Sequence, residues 1–190
     1  IEASILDGKG VVQLTGNLGN VMKESANTAI SYVRSVAKEY GIDPDFYQNK
    51  DIHIHAPEGA VPKDGPSAGI ALVIVLISAL TNIPIRRNVA MTGEVTLRGR
   101  VLPIGGLKEK LIAAYKSGVK TVFIPKENER DLSELDSKVR EALTIIPCGT
   151  VDEVIRAALL FPVFHKKESA GMTSARTVKS LPADHPKAEV

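Results

Sequence analysis

An apolar run at residues 70–80, interrupted only by Ser78, limits the possible folds more than any other feature of this sequence. It reads Ile-Ala-Leu-Val-Ile-Val-Leu-Ile-Ser-Ala-Leu, which is long for a strand and predicts a helix in the core. It is shorter than the roughly 20 apolar residues that a membrane-spanning helix requires. Asp64 suits an N-cap and Pro66 a first turn, so we predict that Ser67 lies in the first turn of this helix.

The segment before the run, 62–69, reads Pro-Lys-Asp-Gly-Pro-Ser-Ala-Gly and surrounds the Ser67 hydroxyl with small residues. In a first turn, unpaired N–H groups and the helix dipole can stabilise an oxyanion, and small neighbours leave room for a substrate backbone. The segment is therefore a candidate nucleophile loop. A small residue at an ordinary helix start is the alternative that this octapeptide alone leaves open.

Strand-like and helix-like segments alternate along the rest of the chain without a strict βαβ repeat, which predicts a mixed α/β or α+β domain. We predict strands at 4–6, 11–15, 51–56, 89–95, 98–102, 119–124 and 144–147. We predict further helices ending near residue 41 and at 107–116, 135–143 and 151–160. One domain is expected at 1–162, followed by a flexible tail at 163–190, where Ser, Thr, Lys and Pro replace apolar residues.

The composition argues against several classes of partner. The 24 basic and 22 acidic residues give a net charge of +2, so no electrostatic footprint for nucleic acid or an acidic membrane is present. Four Phe, four Tyr and no Trp leave little for base stacking. Cys148 is the single cysteine, which excludes an internal disulfide, fits a reducing compartment and suits a core position.

Histidine is poorly placed to activate Ser67. Residues 65–69 match the G-x-S-x-G elbow of α/β-hydrolases, whose histidine follows the serine, but His165 and His185 lie at or beyond the edge of the predicted domain. His53 and His55 alternate on one strand face, as a metal pair could. Since no third ligand has an obvious spacing, a hydrogen-bonded pair is the preferred interpretation.

A lysine that has lost its proton is the other way to activate a serine. A lysine with an ordinary pKa near 10.4 would need a shift of about 3 units, or roughly 4 kcal/mol of desolvation, so it must lie against apolar surface. Lys108 and Lys110 follow a double glycine at the start of an amphipathic helix, and periodicity does not choose between them. Two solvated surface lysines are the alternative for this segment.

Five segments of the sequence resemble motifs of the proteolytic domain of the Lon ATP-dependent proteases and follow one another in the order found in that family. They are 51–55 (Asp-Ile-His-Ile-His), 62–69, 91–94 (Met-Thr-Gly-Glu), 102–110 (Leu-Pro-Ile-Gly-Gly-Leu-Lys-Glu-Lys) and 124–128 (Ile-Pro-Lys-Glu-Asn). The resemblance covers residues 1 to about 160 and leaves only the tail unmatched.

The resemblance implies a serine endopeptidase with a Ser-Lys dyad, in which Ser67 is the nucleophile and Lys110 the general base. It leaves Lys108 on the surface, and it implies that Thr92 holds the Lys110 amine by a hydrogen bond. It also implies that Asp64 lies beside the site and influences whether the site is open. An Asp64–Lys110 pair would favour the ammonium and is a sensible off state.

The resemblance also implies an α+β fold related to a domain of a small-subunit ribosomal protein. The family acts on unfolded or damaged proteins in protein quality control, and it couples this domain to an AAA+ ATPase in homohexameric rings. No G-x-x-x-x-G-K-[ST] loop occurs in the sequence, so we expect ATP and Mg²⁺ on the absent ATPase module and no cofactor or metal in this domain. We expect neither a membrane nor a nucleic acid as partner.

The first residue is not Met and no signal-like segment follows it, so we expect a piece of a longer chain. The single cysteine and the resemblance suit a bacterial cytoplasm, which we expect, and also the mitochondrial matrix, which is the alternative. Two other functions stay open at this point. One is a non-catalytic or closed ring-forming platform for the ATPase. The other is an α/β-hydrolase-type esterase.

Overall fold

The computed structural model describes residues 1–160 and has the predicted α+β class. The strands are β1 (Glu2–Asp7), β2 (Val12–Thr15), β3 (Lys50–His55), β4 (Val89–Met91), β5 (Glu94–Val95), β6 (Val101–Leu102), β7 (Thr121–Pro125) and β8 (Thr144–Cys148). The helices are α1 (Asn20–Val36), α2 (Phe46–Asn49), α3 (Gly69–Thr81), α4 (Leu107–Lys116), α5 (Ser137–Ala142) and α6 (Val151–Ala158). Two 3₁₀ segments lie at Ala37–Tyr40 and Lys126–Glu134. The predicted tail, 163–190, lies outside the described residues, and the relation to a ribosomal-protein domain stays a prediction.

The described strands form three small sheets. In the first sheet β3 is central, antiparallel to β1 and parallel to β2. In the second sheet β7 is central and parallel to both β4 and β8. The third is an antiparallel ribbon of β5 and β6. Each parallel pair is joined by a connection that contains a helix, as parallel pairing requires.

Helix α3 is the centre of the main core. It packs against α1, β1, β4, β5 and α6, so it is covered from several sides. Its fully buried apolar side chains are Ile70, Leu72, Val73, Ile74, Leu76 and Ile77, each 0% exposed. The prediction of a core helix at 70–80 is confirmed. Among the helices of residues 1–160, none is long and apolar enough to cross a membrane.

Most of the other predicted elements are confirmed with shifts of a few residues, and α4 has its predicted bounds. The strand predicted at 89–95 is wrong, because the chain leaves β4 at Met91 and joins a different sheet at Glu94. The backbone between them turns aside to bond elsewhere, with the Gly93 N–H donating to the Ser67 carbonyl. Helix α2 and the 3₁₀ segment after β7 were not predicted, since both are short and lack a clear apolar period.

Asp64 caps α1 and does not cap α3, which corrects the predicted N-cap. Helix α1 begins after Gly19, which has no side chain to serve as a cap, and Asp64 Oδ1 accepts hydrogen bonds from the N–H groups of Met22 (2.9 Å) and Gly65 (2.8 Å). A carboxylate at a helix N-terminus satisfies an orphan donor and complements the dipole. The Met22 and Gly65 N–H groups hold the pKa of Asp64 below its ordinary value. This cap joins the nucleophile loop to α1.

Leu76→Ala should lower the free energy of unfolding by about 2–5 kcal/mol, because the shortened side chain leaves a cavity in a part of α3 that is 0% exposed. Leu97→Ala is the matched control, since Leu97 is 62% exposed on the β5–β6 ribbon and should change stability by less than about 0.5 kcal/mol. Urea unfolding measures both. Equal losses would contradict the assignment of α3 as the core.

Asp64→Ala should lower the melting temperature at pH 7 through loss of the α1 cap. Because the folded pKa of Asp64 is depressed, its stabilising effect is present above the unfolded pKa and is lost as pH falls through the folded pKa. The difference from the parent should therefore be constant between about pH 7 and 5 and shrink below about pH 4. Thermal unfolding against pH tests this, with Glu24→Ala, an exposed carboxylate further along α1, as control. A difference that does not vary with pH would contradict a cap by the charged carboxylate.

Candidate functional site

Ser67 lies immediately before α3 and not in its first turn. The helix begins at Gly69 with Ala68 as N-cap, and a turn closed by Gly69 N–H to Pro66 O (3.1 Å) precedes it. The predicted first-turn position of Ser67 is therefore wrong. Once Asp64 is held at α1, the chain needs this extra turn before the apolar run can enter the core.

The backbone of Ser67 is fixed by residues that follow β4. The Ser67 carbonyl accepts hydrogen bonds from the Gly93 N–H (2.8 Å) and the Thr92 hydroxyl (3.1 Å). Thr92 is 6% exposed, and its own N–H donates to the Phe123 carbonyl in β7 (3.1 Å). The Thr92 hydroxyl thus holds the Ser67 backbone here, and not the Lys110 amine as the resemblance implied.

Lys110 reaches Ser67 from the first part of α4. Its Nζ donates a hydrogen bond to Ser67 Oγ at 3.2 Å. The buried face of α4, formed by Leu107, Leu111 and Ala114, packs into a second core cluster. Lys110 lies beside this face. Of the two candidate lysines, the structure brings Lys110 to the serine, whereas Lys108 is exposed and makes no hydrogen bond to Ser67 within residues 1–160.

The burial of Lys110 differs from the sequence argument. A lysine base was expected against apolar surface, yet the Lys110 side chain is exposed in this single chain. The reason is geometric, because the apolar side of α4 faces β7 and the amine extends past its edge towards Ser67. Among the described residues Lys110 has no ion pair with Asp64, whose carboxylate is engaged at α1.

The N–H groups available to an oxyanion also differ from the expected ones. The first-turn N–H groups of Gly69 and Ile70 are already bonded, to the carbonyls of Pro66 and Gly93 (both 3.1 Å). The N–H groups of Ser67 and Ala68 have no acceptor within residues 1–160. Two adjacent unpaired N–H groups beside a hydroxyl are the arrangement that stabilises a tetrahedral oxyanion.

A cavity of about 300 Å³ opens beside the Ser67 hydroxyl. Its walls are mostly small or apolar and come from α3, β4, α4 and β7. They include Ala68, Ala71, Met91, Leu111, Ala114 and Val122. Sequence analysis did not identify this cavity, because its lining residues are ordinary core types that come together only in the fold.

The nucleophile loop is also held by Lys63, which sequence analysis did not single out. Its ammonium donates to three backbone carbonyls, those of Glu58 (2.8 Å), Val61 (3.1 Å) and Gly16 (3.3 Å). The Lys63 N–H donates to the Asn17 carbonyl, and the Lys63 carbonyl accepts from the Gly19 N–H. The loop is therefore an ordered structure on both sides of Asp64.

The histidine pair has a hydrogen-bond partner. His53 Nε2 and His55 Nδ1 lie 2.9 Å and 2.7 Å from the Thr15 hydroxyl on β2. In residues 1–160 no group of three or more His, Cys, Asp or Glu side chains could hold a metal ion. Cys148 is 1% exposed and donates its thiol to the Ile124 carbonyl, and burial raises its pKa to about 12. It is a core residue, as predicted.

The α/β-hydrolase interpretation does not fit the loop. In a nucleophile elbow the serine stands on a sharp turn that directly follows a strand. Here β3 ends at His55, and the loop at 57–66, which contains Asp64, separates the strand from Ser67. His165 and His185 lie outside the described residues.

Comparison with known proteins assigns the family. The family model for the C-terminal proteolytic domain of Lon protease matches residues 1–161. Lon protease from Brevibacillus choshinensis is 60% identical over 168 residues, which cover 88% of this chain and 22% of that protein. Lon protease from Chloroflexus aggregans is 64% identical over 159 residues, covering 84% and 19%. Lon protease 1 from Syntrophobacter fumaroxidans is 53% identical over 187 residues, covering 96% and 23%.

The chain spans about a fifth of the length of these relatives. Residues 1–161, which the family model matches, contain the whole of the site described above. The resemblance found in five separate segments is thereby confirmed over nearly the full described length. This chain belongs to the Lon protease family, and the part of the family that it matches is the C-terminal proteolytic domain.

Proposed function

We propose that this chain is the peptide-cleaving unit of a Lon protease and hydrolyses peptide bonds in unfolded polypeptides through Ser67 and Lys110. The observation that carries the proposal is the 3.2 Å contact between Lys110 Nζ and Ser67 Oγ, made across two elements that are far apart in sequence. A nucleophile and a base within hydrogen-bond reach are the first requirement for covalent catalysis.

The reaction proceeds by acyl transfer. The unprotonated Lys110 amine takes the proton of the Ser67 hydroxyl as Oγ attacks the peptide carbonyl carbon. The resulting ammonium gives this proton to the leaving amine, so the C–N bond breaks and an acyl-enzyme remains. Water then attacks the ester with the same lysine as base, and the acid product leaves. Neither a metal nor a cofactor enters this sequence.

The oxyanion is held by the N–H groups of Ser67 and Ala68, which replace the first-turn donors expected from sequence. These donors are on one rigid segment with the nucleophile, because the Ser67 carbonyl is bonded to Thr92 and Gly93. Preorganised donors need no rearrangement as charge develops. The adjacent cavity takes a substrate side chain, and its apolar lining favours an aliphatic or aromatic one.

An extended polypeptide over Ser67 also supplies the desolvation that the free chain lacks. Lys110 is exposed here, and a peptide bound at the oxyanion site and the cavity would cover the amine. Exclusion of water disfavours an ammonium, so bound substrate promotes the base form. The ATPase module, the hexameric ring, ATP and Mg²⁺ on that module and a bacterial cytoplasm, with the mitochondrial matrix as alternative, belong to the same proposal for the whole protein, on the strength of the family resemblance.

The second candidate function is a closed, ring-forming platform. The exposure of Lys110 favours it, since a site poised for acyl transfer excludes water from its reacting groups. The two functions differ in whether Ser67 reacts with a serine-directed reagent, because a platform without a competent nucleophile would not be labelled.

Lys110→Gln should reduce ATP-independent cleavage of an unstructured protein by at least about 100-fold, because general-base catalysis contributes about 10²- to 10⁴-fold. Ser67→Ala should abolish cleavage and covalent labelling. Lys108→Gln is the matched control on the same helix and should behave like the parent. Circular dichroism establishes that all variants fold.

Each contrary result has a distinct meaning. Cleavage that persists in Lys110→Gln would exclude the Ser-Lys dyad. A folded parent that neither cleaves nor reacts with the reagent would favour the platform.

A further inference from the structure

The segment 124–128 carries part of the family resemblance, yet the reaction above gives it no role. Its last residue, Asn128, is 2% exposed and is one of few buried polar side chains in residues 1–160. The Asn128 Oδ1 accepts from the Ile104 N–H at 2.9 Å, and Nδ2 donates to the Ile104 carbonyl at 2.9 Å. The same Nδ2 donates to Asp131 Oδ2 at 2.6 Å. The Asn128 amide therefore clamps both backbone groups of a single residue.

Ile104 lies in the connection from β6 to α4, the helix that carries Lys110. The next two residues, Gly105 and Gly106, have little around them: a Cβ on Gly105 would meet nothing within 4 Å, and one on Gly106 only Glu109 Oε2 at 3.5 Å. Gly106 is the N-cap of α4 and has no side chain to cap it. Ile104 is thus the point nearest to the start of α4 that a side chain holds in place.

The clamp and the support of Ser67 share one strand. Asn128 follows β7 directly, within the 3₁₀ segment Lys126–Glu134. Phe123 in the same strand accepts the Thr92 N–H, and Thr92 in turn bonds the Ser67 carbonyl. The Ser67 side is therefore tied to β7 by the Thr92–Phe123 hydrogen bond, and the Ile104 clamp is tied to β7 by the short stretch of chain from Pro125 to Asn128.

We propose that Asn128 is a positioning residue for Lys110: by clamping Ile104 it sets where α4 begins and so keeps the lysine amine within reach of the Ser67 hydroxyl. This inference rests on the proposed function. The buried side chains of α4 hold one face of the helix against β7, and the clamp fixes its start. Misplacement of a catalytic group by about 1 Å can cost about 100-fold in rate.

The test uses the double variant Asn128→Asp/Asp131→Asn in the full chain. It keeps an acceptor for the Ile104 N–H and a donor–acceptor pair between positions 128 and 131, and it replaces the donor to the Ile104 carbonyl by a carboxylate oxygen, which repels that carbonyl. Asp131→Asn alone is the matched control, because it leaves the clamp intact. The measurement is the second-order rate at which a fluorophosphonate probe phosphonylates Ser67 with loss of fluoride, followed by intact mass.

Each variant is measured with Lys110 present and in a Lys110→Gln background. With Lys110 present, we expect the double variant to react at least about 10-fold more slowly than the parent. In the Lys110→Gln background, we expect adding the double variant to cause no further slowing relative to Lys110→Gln alone. Asp131→Asn should match the parent in both backgrounds. If circular dichroism shows that the double variant does not fold, Asn128→Ala, which adds no charge, takes its place with the same expectations.

Three results would overturn the inference. An unchanged rate in the clamp variant means that Asn128 does not position Lys110. Equal slowing in both backgrounds means that its effect is structural and does not act through the lysine. If the parent and Lys110→Gln react equally fast, the dyad itself fails, and the inference falls with the proposed function.

Discussion

The two hydrogen bonds accepted by the Ser67 carbonyl are the constraint on which the rest of the site depends. The Gly93 N–H and the Thr92 hydroxyl can reach that carbonyl only if the chain leaves the sheet at Met91, which explains the break between β4 and β5. The same approach leaves no room for side chains. A Cβ on Gly93 would lie 2.6 Å from Ile70 Cδ1, and one on Gly69 would lie 2.8 Å from the backbone nitrogen of Val95. Glycine is therefore required at both positions for the nucleophile loop to pack this closely against the chain that leaves β4.

Sequence reasoning succeeded where the determining interactions are local. The apolar run predicted α3, and the double glycine together with helical periodicity predicted the bounds of α4. It failed where a partner is distant in sequence. The start of α3 depends on Asp64 capping α1, a contact across 42 residues that no local pattern reveals. Periodicity could not separate Lys108 from Lys110, because both flank the apolar face of the same helix. Which of the two lysines meets Ser67 depends on the side of α4 on which Ser67 lies, and only the tertiary structure shows that side.

The two sides of the proposed dyad are supported differently. Ser67 belongs to a loop whose backbone is bonded at both ends, so its hydroxyl and the two N–H groups beside it form a rigid unit. Lys110 extends into solvent from a short helix whose start depends on the open turn at Gly105 and Gly106. In the proposed reaction, Ser67 is therefore the fixed group, and the surroundings of the Lys110 amine are what can change to control the rate. Under the proposed mechanism, a polypeptide that covers the amine would raise reactivity without rebuilding the nucleophile loop.

The Asp64 carboxylate links this control to the stability of α1. It receives N–H donors from Met22 and Gly65, and these bonds hold its pKa below the ordinary value. An off state in which the Asp64 carboxylate turns away from Met22 to pair with Lys110 would leave the first turn of α1 without this cap. The Asp64–Met22 bond, which also fixes the loop, therefore opposes such a rotation of the carboxylate. Where the pair forms by this rotation, amide exchange at Met22 should accelerate, and unchanged exchange in an inactive state would exclude the rotation as its cause.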